Sequence, residues 1–66
     1  MVEFKKLNGE VILINPFQIE AVEVIPDSKI IMMNGRFHIV MEKKEEIIEK
    51  ITKYRKEIYG TMNSEE

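Results

Sequence analysis

From Val2 to Met41 the apolar residues recur with a period of about two, and from Glu42 to Tyr59 the period lengthens to about 3.6. The first pattern predicts short half-buried strands and the second an amphipathic helix. The stretch Ile19 to Met41 predicts three strands joined by two turns. Asn34-Gly35 is the clearer turn, because both residue types tolerate the positive φ that a two-residue type I′ loop requires. With that loop Met33 pairs with Arg36, Met32 with Phe37, Ile31 with His38 and Ile30 with Ile39, and opposed residues share a face. One face then carries Ile30, Met32, Phe37 and Ile39, with Met41 beyond, and is expected to be core. The other carries Lys29, Ile31, Met33, Arg36, His38 and Val40, a mixture that suits neither open solvent nor a core.

A second Asn-Gly, at Asn8-Gly9, predicts an opening hairpin of Val2 to Leu7 and Glu10 to Ile14. A two-residue loop there sets Phe4 opposite Leu13 and Lys5 opposite Ile12. Val2, Phe4, Val11 and Leu13 then join the core face, with Lys6 as a misfit, while Ile12 and Ile14 fall on the mixed face. Asn15-Pro16 ends the second strand, since proline cannot donate to a ladder; Asn15 is placed to cap one short turn through Phe17 and Gln18, with Phe17 expected to plug the sheet edge. The Pro26-Asp27-Ser28 turn permits two registers. A two-residue loop sets Glu23 opposite Ile30; a three-residue loop sets Val24 opposite Ile30, Val22 opposite Met32, and Glu23 on the mixed face. The second is expected, because the first drives a carboxylate into the core.

In the C-terminal segment Ile47, Ile48, Ile51, Tyr54 and Ile58 make one helical stripe with Tyr59 at its border. Glu46 with Lys50 and Glu49 with Lys53 are acid-before-base pairs four apart. None of residues 41 to 44 is a good N-cap, and Gly60 is the expected stop, with residues 61–66 a flexible tail after a single domain of residues 1–60. The fold class expected is α+β: five short antiparallel strands, as a curved sheet or small barrel, followed by one C-terminal helix.

Sixty-six residues make one domain near the size where a single core barely offsets chain entropy. With no cysteine, neither disulfides nor a thiolate metal site adds support. A homo-oligomer is therefore expected, the more so because Ile12, Ile14, Ala21, Ile25, Ile31, Met33 and Val40 all fall on the mixed face. If the helix covers the other face, then either the strands curl into a barrel or the mixed face is a subunit interface. The net charge is −2, spread evenly, so a sequence-independent grip on phosphates is poorly supported. No apolar run reaches a membrane span and the start lacks a signal-peptide core, which makes the expected location cytoplasmic.

Candidate chemistry is sparse. His38 is the lone histidine and a metal site needs three or four ligands, so it reads as structural or interfacial. Glu45, Glu46 and Glu49 read as a solvated helix flank, and Met33 as an adaptable contact residue. An enzyme is not expected, nor any cofactor or metal. Lys5, Lys29, Arg36 and His38 make at most a modest nucleic-acid site, since acidic neighbours match the basic residues of the strands.

Leu7-Asn8-Gly9, Leu13-Ile14-Asn15-Pro16, Ile19-Glu20, Pro26-Asp27-Ser28, Ile30, Asn34-Gly35, Val40 and the Glu-rich helix to Tyr54 occur in an order and spacing that resemble the FlbD family, called SwrD in its swarming branch. Ser28 stands where the family usually has threonine, and Lys43 where a serine usually opens the helix. The resemblance implies a cytoplasmic, non-enzymatic accessory of bacterial flagellar motility. It also implies support for motor power through the stator units, at the inner face of the cell membrane near the motor, and it supplies no catalytic residues. A partner or oligomer surface is expected at Glu23, Ile31, Met33, Arg36 and His38. The alternative is a small β-barrel nucleic-acid-binding regulator of flagellar gene expression.

Overall fold

The two Asn-Gly corners fold alike, and neither is a two-residue loop. The computed structural model describes residues 1–62, with side chains through residue 59. Gly9 and Gly35 have φ of 90° and 87°, and no non-glycine residue among those described has positive φ. A type I′ turn needs it at both central positions, so Asn8 and Asn34 do not form one. Each corner is instead a three-residue loop, a type I turn closed by a left-handed glycine. Gly9 N–H donates to Lys6 O at 2.9 Å and Lys6 N–H to Glu10 O at 2.8 Å; Gly35 N–H donates to Met32 O at 2.9 Å and Met32 N–H to Arg36 O at 2.7 Å. The asparagines contribute through their side chains: Asn8 Oδ1 accepts from Glu10 N–H and Asn34 Oδ1 from Arg36 N–H, both at 2.9 Å. Nothing lies within 4 Å of a Cβ added at either glycine. Gly9→Ala or Gly35→Ala is therefore expected to cost only the conformational penalty, about 1–2 kcal/mol each in urea denaturation.

One extra loop residue slides each pairing by one and exchanges the two faces. In β1 (Val2–Lys5) and β2 (Val11–Ile14), Val2 pairs with Ile14, Phe4 with Ile12, Glu3 with Leu13 and Lys5 with Val11. Val11 and Leu13, expected inside, are exposed; Ile14 is buried and Ile12 packs against the core. In β4 (Ser28–Met32) and β5 (Phe37–Val40), Ile30 pairs with His38, Ser28 with Val40 and Ile31 with Phe37. Val40 thus moves to the core and Phe37 out of it.

The third turn behaves differently. β3 (Ile19–Val24) sets Val24 opposite Ser28, Val22 opposite Ile30 and Glu23 opposite Lys29, with a bulge between Ile19 and Ala21. The loop has three residues as expected, but they are Ile25, Pro26 and Asp27, so the ladder slides by two positions. A slide of two preserves which face each residue takes, and Glu23 stays off the core.

β1 and β2 form one pair; β3, β4 and β5 form a second sheet in that order. The two meet where Lys6 bridges Val40 and Met41 N–H donates to Lys5 O at 2.7 Å. The five strands therefore make an open layer rather than a closed barrel, and with the helix an α+β fold. Between β2 and β3, Pro16–Gln18 is a 3-10 turn whose cap is Asn15, with Asn15 Oδ1 accepting from Phe17 N–H at 3.0 Å. Phe17 does not plug the sheet edge: it is partly exposed, its ring centroid 6.1 Å from that of Tyr54 on the helix.

Helix α1 (Lys44–Met62) lies against the inner side of this layer. Val2, Phe4, Ile14, Ile30, Val40 and Ile47 form the buried core, flanked by Ile12, Ile19, Val22, Met32, Ile51 and Tyr54. Ile48, expected in the helical stripe, is exposed. The helix starts with half of a capping box, Lys43 N–H donating to Glu46 Oε1 at 3.1 Å; the other half is lacking, because a lysine side chain has no acceptor to offer the first-turn amides. Nor does Gly60 end it: a glycine costs a helix interior only about 1 kcal/mol, and α1 continues to Met62. The expected boundary at residue 60 falls inside the helix, and the remainder of the expected tail, 63–66, lies outside the described residues.

A polar clamp fixes the helix to β1. Both Glu42 carboxylate oxygens accept from Lys5 N–H at 3.1 Å, and Lys50 Nζ donates to Glu42 Oε2 at 3.0 Å and to Glu3 O at 2.6 Å. The same ammonium lies 5.2 Å from the centroid of the Phe4 ring. Burial by itself raises the Glu42 pKa, but the bond from Lys5 N–H and the Lys50 partner outweigh it and hold the group below its ordinary 4.5.

Candidate functional site

Because the helix takes the inner side of the layer, the opposite side is left open. On the three-stranded sheet, cross-strand pairing puts Ala21, Ile31 and Phe37 in one row of that outer face and Glu23, Lys29 and Ile39 in the next. Phe37 is 54% exposed. Lys29 Nζ stands 4.3 Å from its ring centroid and 3.9 Å from Glu23 Oε1. The ammonium thus links a carboxylate to an aromatic ring that stays more than half exposed. Lys6 lies 3.8 Å from Glu10 Oε1, so two of the basic strand residues already have acidic neighbours.

The five residues expected to share a surface do not all do so. Glu23 and Ile31 lie on the outer face. Met33 and Arg36 flank the Asn34-Gly35 corner at its edge, both exposed. His38 pairs with Ile30 and belongs to the inner side, where it is half-buried. It lines a shallow depression with Lys6, Leu7, Asn8, Phe37 and Ile39, where β1 and β5 part beyond the Lys6–Val40 bridge. Phe37 and Ile39 are the surface residues that sequence reasoning put in the core, and Lys29, expected on this face, was left out of the partner surface. The signal that finds them is the length of the corner: once Asn34 is denied positive φ, parity sends Phe37 outward.

Among the described residues no three His, Asp or Glu side chains come together as a metal site requires. No described helix is long and apolar enough to cross a membrane. The outer face presents an exposed aromatic ring, aliphatic neighbours and a paired acid and base.

Comparison with curated proteins and with solved structures finds no match. A family model described as flagellar and swarming motility proteins, FlbD, does match, over residues 1–59. With nearly the whole chain covered, this protein belongs to the FlbD family of flagellar and swarming motility proteins.

Proposed function

We propose that this motility-associated protein acts as a non-enzymatic accessory of the flagellar motor. It works in the cytoplasm beside the motor, and its outer strand face contacts a motor or stator component. The observation that carries the reading is the Glu23–Lys29–Phe37 chain beside Ile31 and Ile39: a large apolar group oriented by its neighbours yet uncovered by its own fold. Arg36 and Met33 extend the surface around the corner, and His38 borders it through the depression at β5. A regulator that binds nucleic acid has less support, because Lys6 and Lys29 lie against Glu10 and Glu23 and form no basic track.

Deleting the gene and scoring filament number and swimming torque separately tests the reading. Torque is expected to fall with filament number unchanged, and loss of filaments would favour gene regulation instead. Reversing charge at Glu23 and Arg36 together is expected to lower torque in a chain that still folds. Full torque from the folded double variant would remove the contact surface from this face.

A further inference from the structure

The free edges of the strand layer are built differently. On β3 the outer edge is interrupted by the bulge at Ile19/Ala21 and carries Glu20 and Glu23. Those are the devices that stop a strand edge from pairing with another chain. β2 has none of them: Val11, Ile12, Leu13 and Ile14 contain no charge, no proline and no bulge.

The ladder also fixes which backbone groups are free. Lys6 N–H bonds Glu10 O, and Lys5 turns its own N–H and C=O away from β2, toward Glu42 and Met41. By antiparallel alternation Phe4–Ile12 and Val2–Ile14 are the hydrogen-bonded pairs. Val11 and Leu13 therefore point their N–H and C=O groups away from β1, and among the described residues no backbone partner meets them. Their side chains are 55% and 58% exposed. An apolar strand with its donors and acceptors unpaired is a template for one more strand.

We propose that this strand is β2 of a second copy, laid antiparallel about a twofold axis at Ile12. Backbone complementarity selects the register, and the charges carried on the neighbouring strands do not oppose it. With Val11 opposite the partner's Leu13, each outer-face row reads Lys5, Val11, the partner's Leu13 and the partner's Glu3, so every row joins one base to one acid. Sliding the ladder to set Val11 on itself puts lysine at both ends of a row, and setting Leu13 on itself puts glutamate at both. The edge carries no charge of its own to select a charged partner, whereas its twofold image satisfies all four of its free backbone groups. Four residues of strand pairing bury less than the roughly 1,200 Å² of a stable specific interface, so the dimer is reversible and depends on concentration. It leaves Phe37 and Lys29 uncovered and does not rest on contact with the motor.

Sedimentation of the full chain from micromolar to millimolar concentration is expected to show its mass doubling. Over the same range hydrogen exchange should slow at the Val11 and Leu13 amides and not on β3. Leu13→Lys is expected to abolish the dimer, while Val24→Lys, on the opposite edge, leaves it intact. The chain has no cysteine, so Ile12→Cys gives a clean probe. Ile12 meets its own copy in a non-hydrogen-bonded pair and should form an intermolecular disulfide under mild oxidation, whereas Lys29→Cys should not. A wild-type chain that stays monomeric throughout the range overturns the proposal. So does a dimer that persists in Leu13→Lys with its slowed amides elsewhere; the exchange experiment needs no substitution and decides the matter if a variant fails to fold.

Discussion

Phe4→Ala is expected to leave the chain largely unfolded at 25 °C. The Phe4 side chain is fully buried, one of six residues that form the buried core, with Lys50 Nζ closing over its ring. Truncating a buried phenylalanine costs about 3–5 kcal/mol, and one core in a chain this short supplies no more than roughly 3–5 kcal/mol. The two figures nearly cancel, so the folded fraction should collapse. Far-UV circular dichroism with a urea titration measures it. Val24→Ala, at a 61% exposed position, should stay within about 0.5 kcal/mol of the parent. Equal urea midpoints for Phe4→Ala and the parent would place the core elsewhere.

Glu42→Gln is expected to cost about 1.5–3 kcal/mol, the usual worth of hydrogen bonds to a charged group. The Glu42 side chain is only 10% exposed and accepts from both Lys5 N–H and Lys50 Nζ. The effect has a pH signature. A carboxylate with a lowered folded pKa stabilises fully above its unfolded value, here 4.5, and loses that contribution as pH falls through the folded pKa. The difference in melting temperature between parent and Glu42→Gln should therefore be constant above about pH 5.5 and shrink as the solution is acidified, because the parent then carries a neutral group too. A difference that does not change with acid would mean that Glu42 stabilises by shape alone.

The order of elements was legible because periodicity and punctuation agree: alternation in the strands, Asn15-Pro16 as a break, 3.6 spacing in the helix. The faces were not. Asn-Gly suits a type I′ turn and also a type I turn closed by glycine, and the two differ by one residue of loop. That residue decides whether Phe37 or His38 looks inward. Side-chain pattern could not choose, since Val11-Ile12-Leu13-Ile14 and Ile30-Ile31-Met32-Met33 are apolar at every position and read equally well either way. At the Pro26-Asp27 turn the pattern did choose: Glu23 is a carboxylate between two valines, and only one parity spares it burial. The surface inherited the same ambiguity, which separated His38 from Glu23 and Ile31. The helix start was legible only to within two residues, Glu42 against Lys44, because Lys43 offers no cap side chain and the part of a capping box that is present comes from Glu46, three residues inside.

Helix α1 is gripped near its origin by Ile47, Glu42 and Lys50, with Ile51, Tyr54 and the Phe17 ring beyond, while the molecule measures 42 × 23 × 19 Å. Lys50, which donates to Glu3 O, ties the helix directly to the backbone of β1, so the first turns are joined to the sheet by charge as well as by apolar packing.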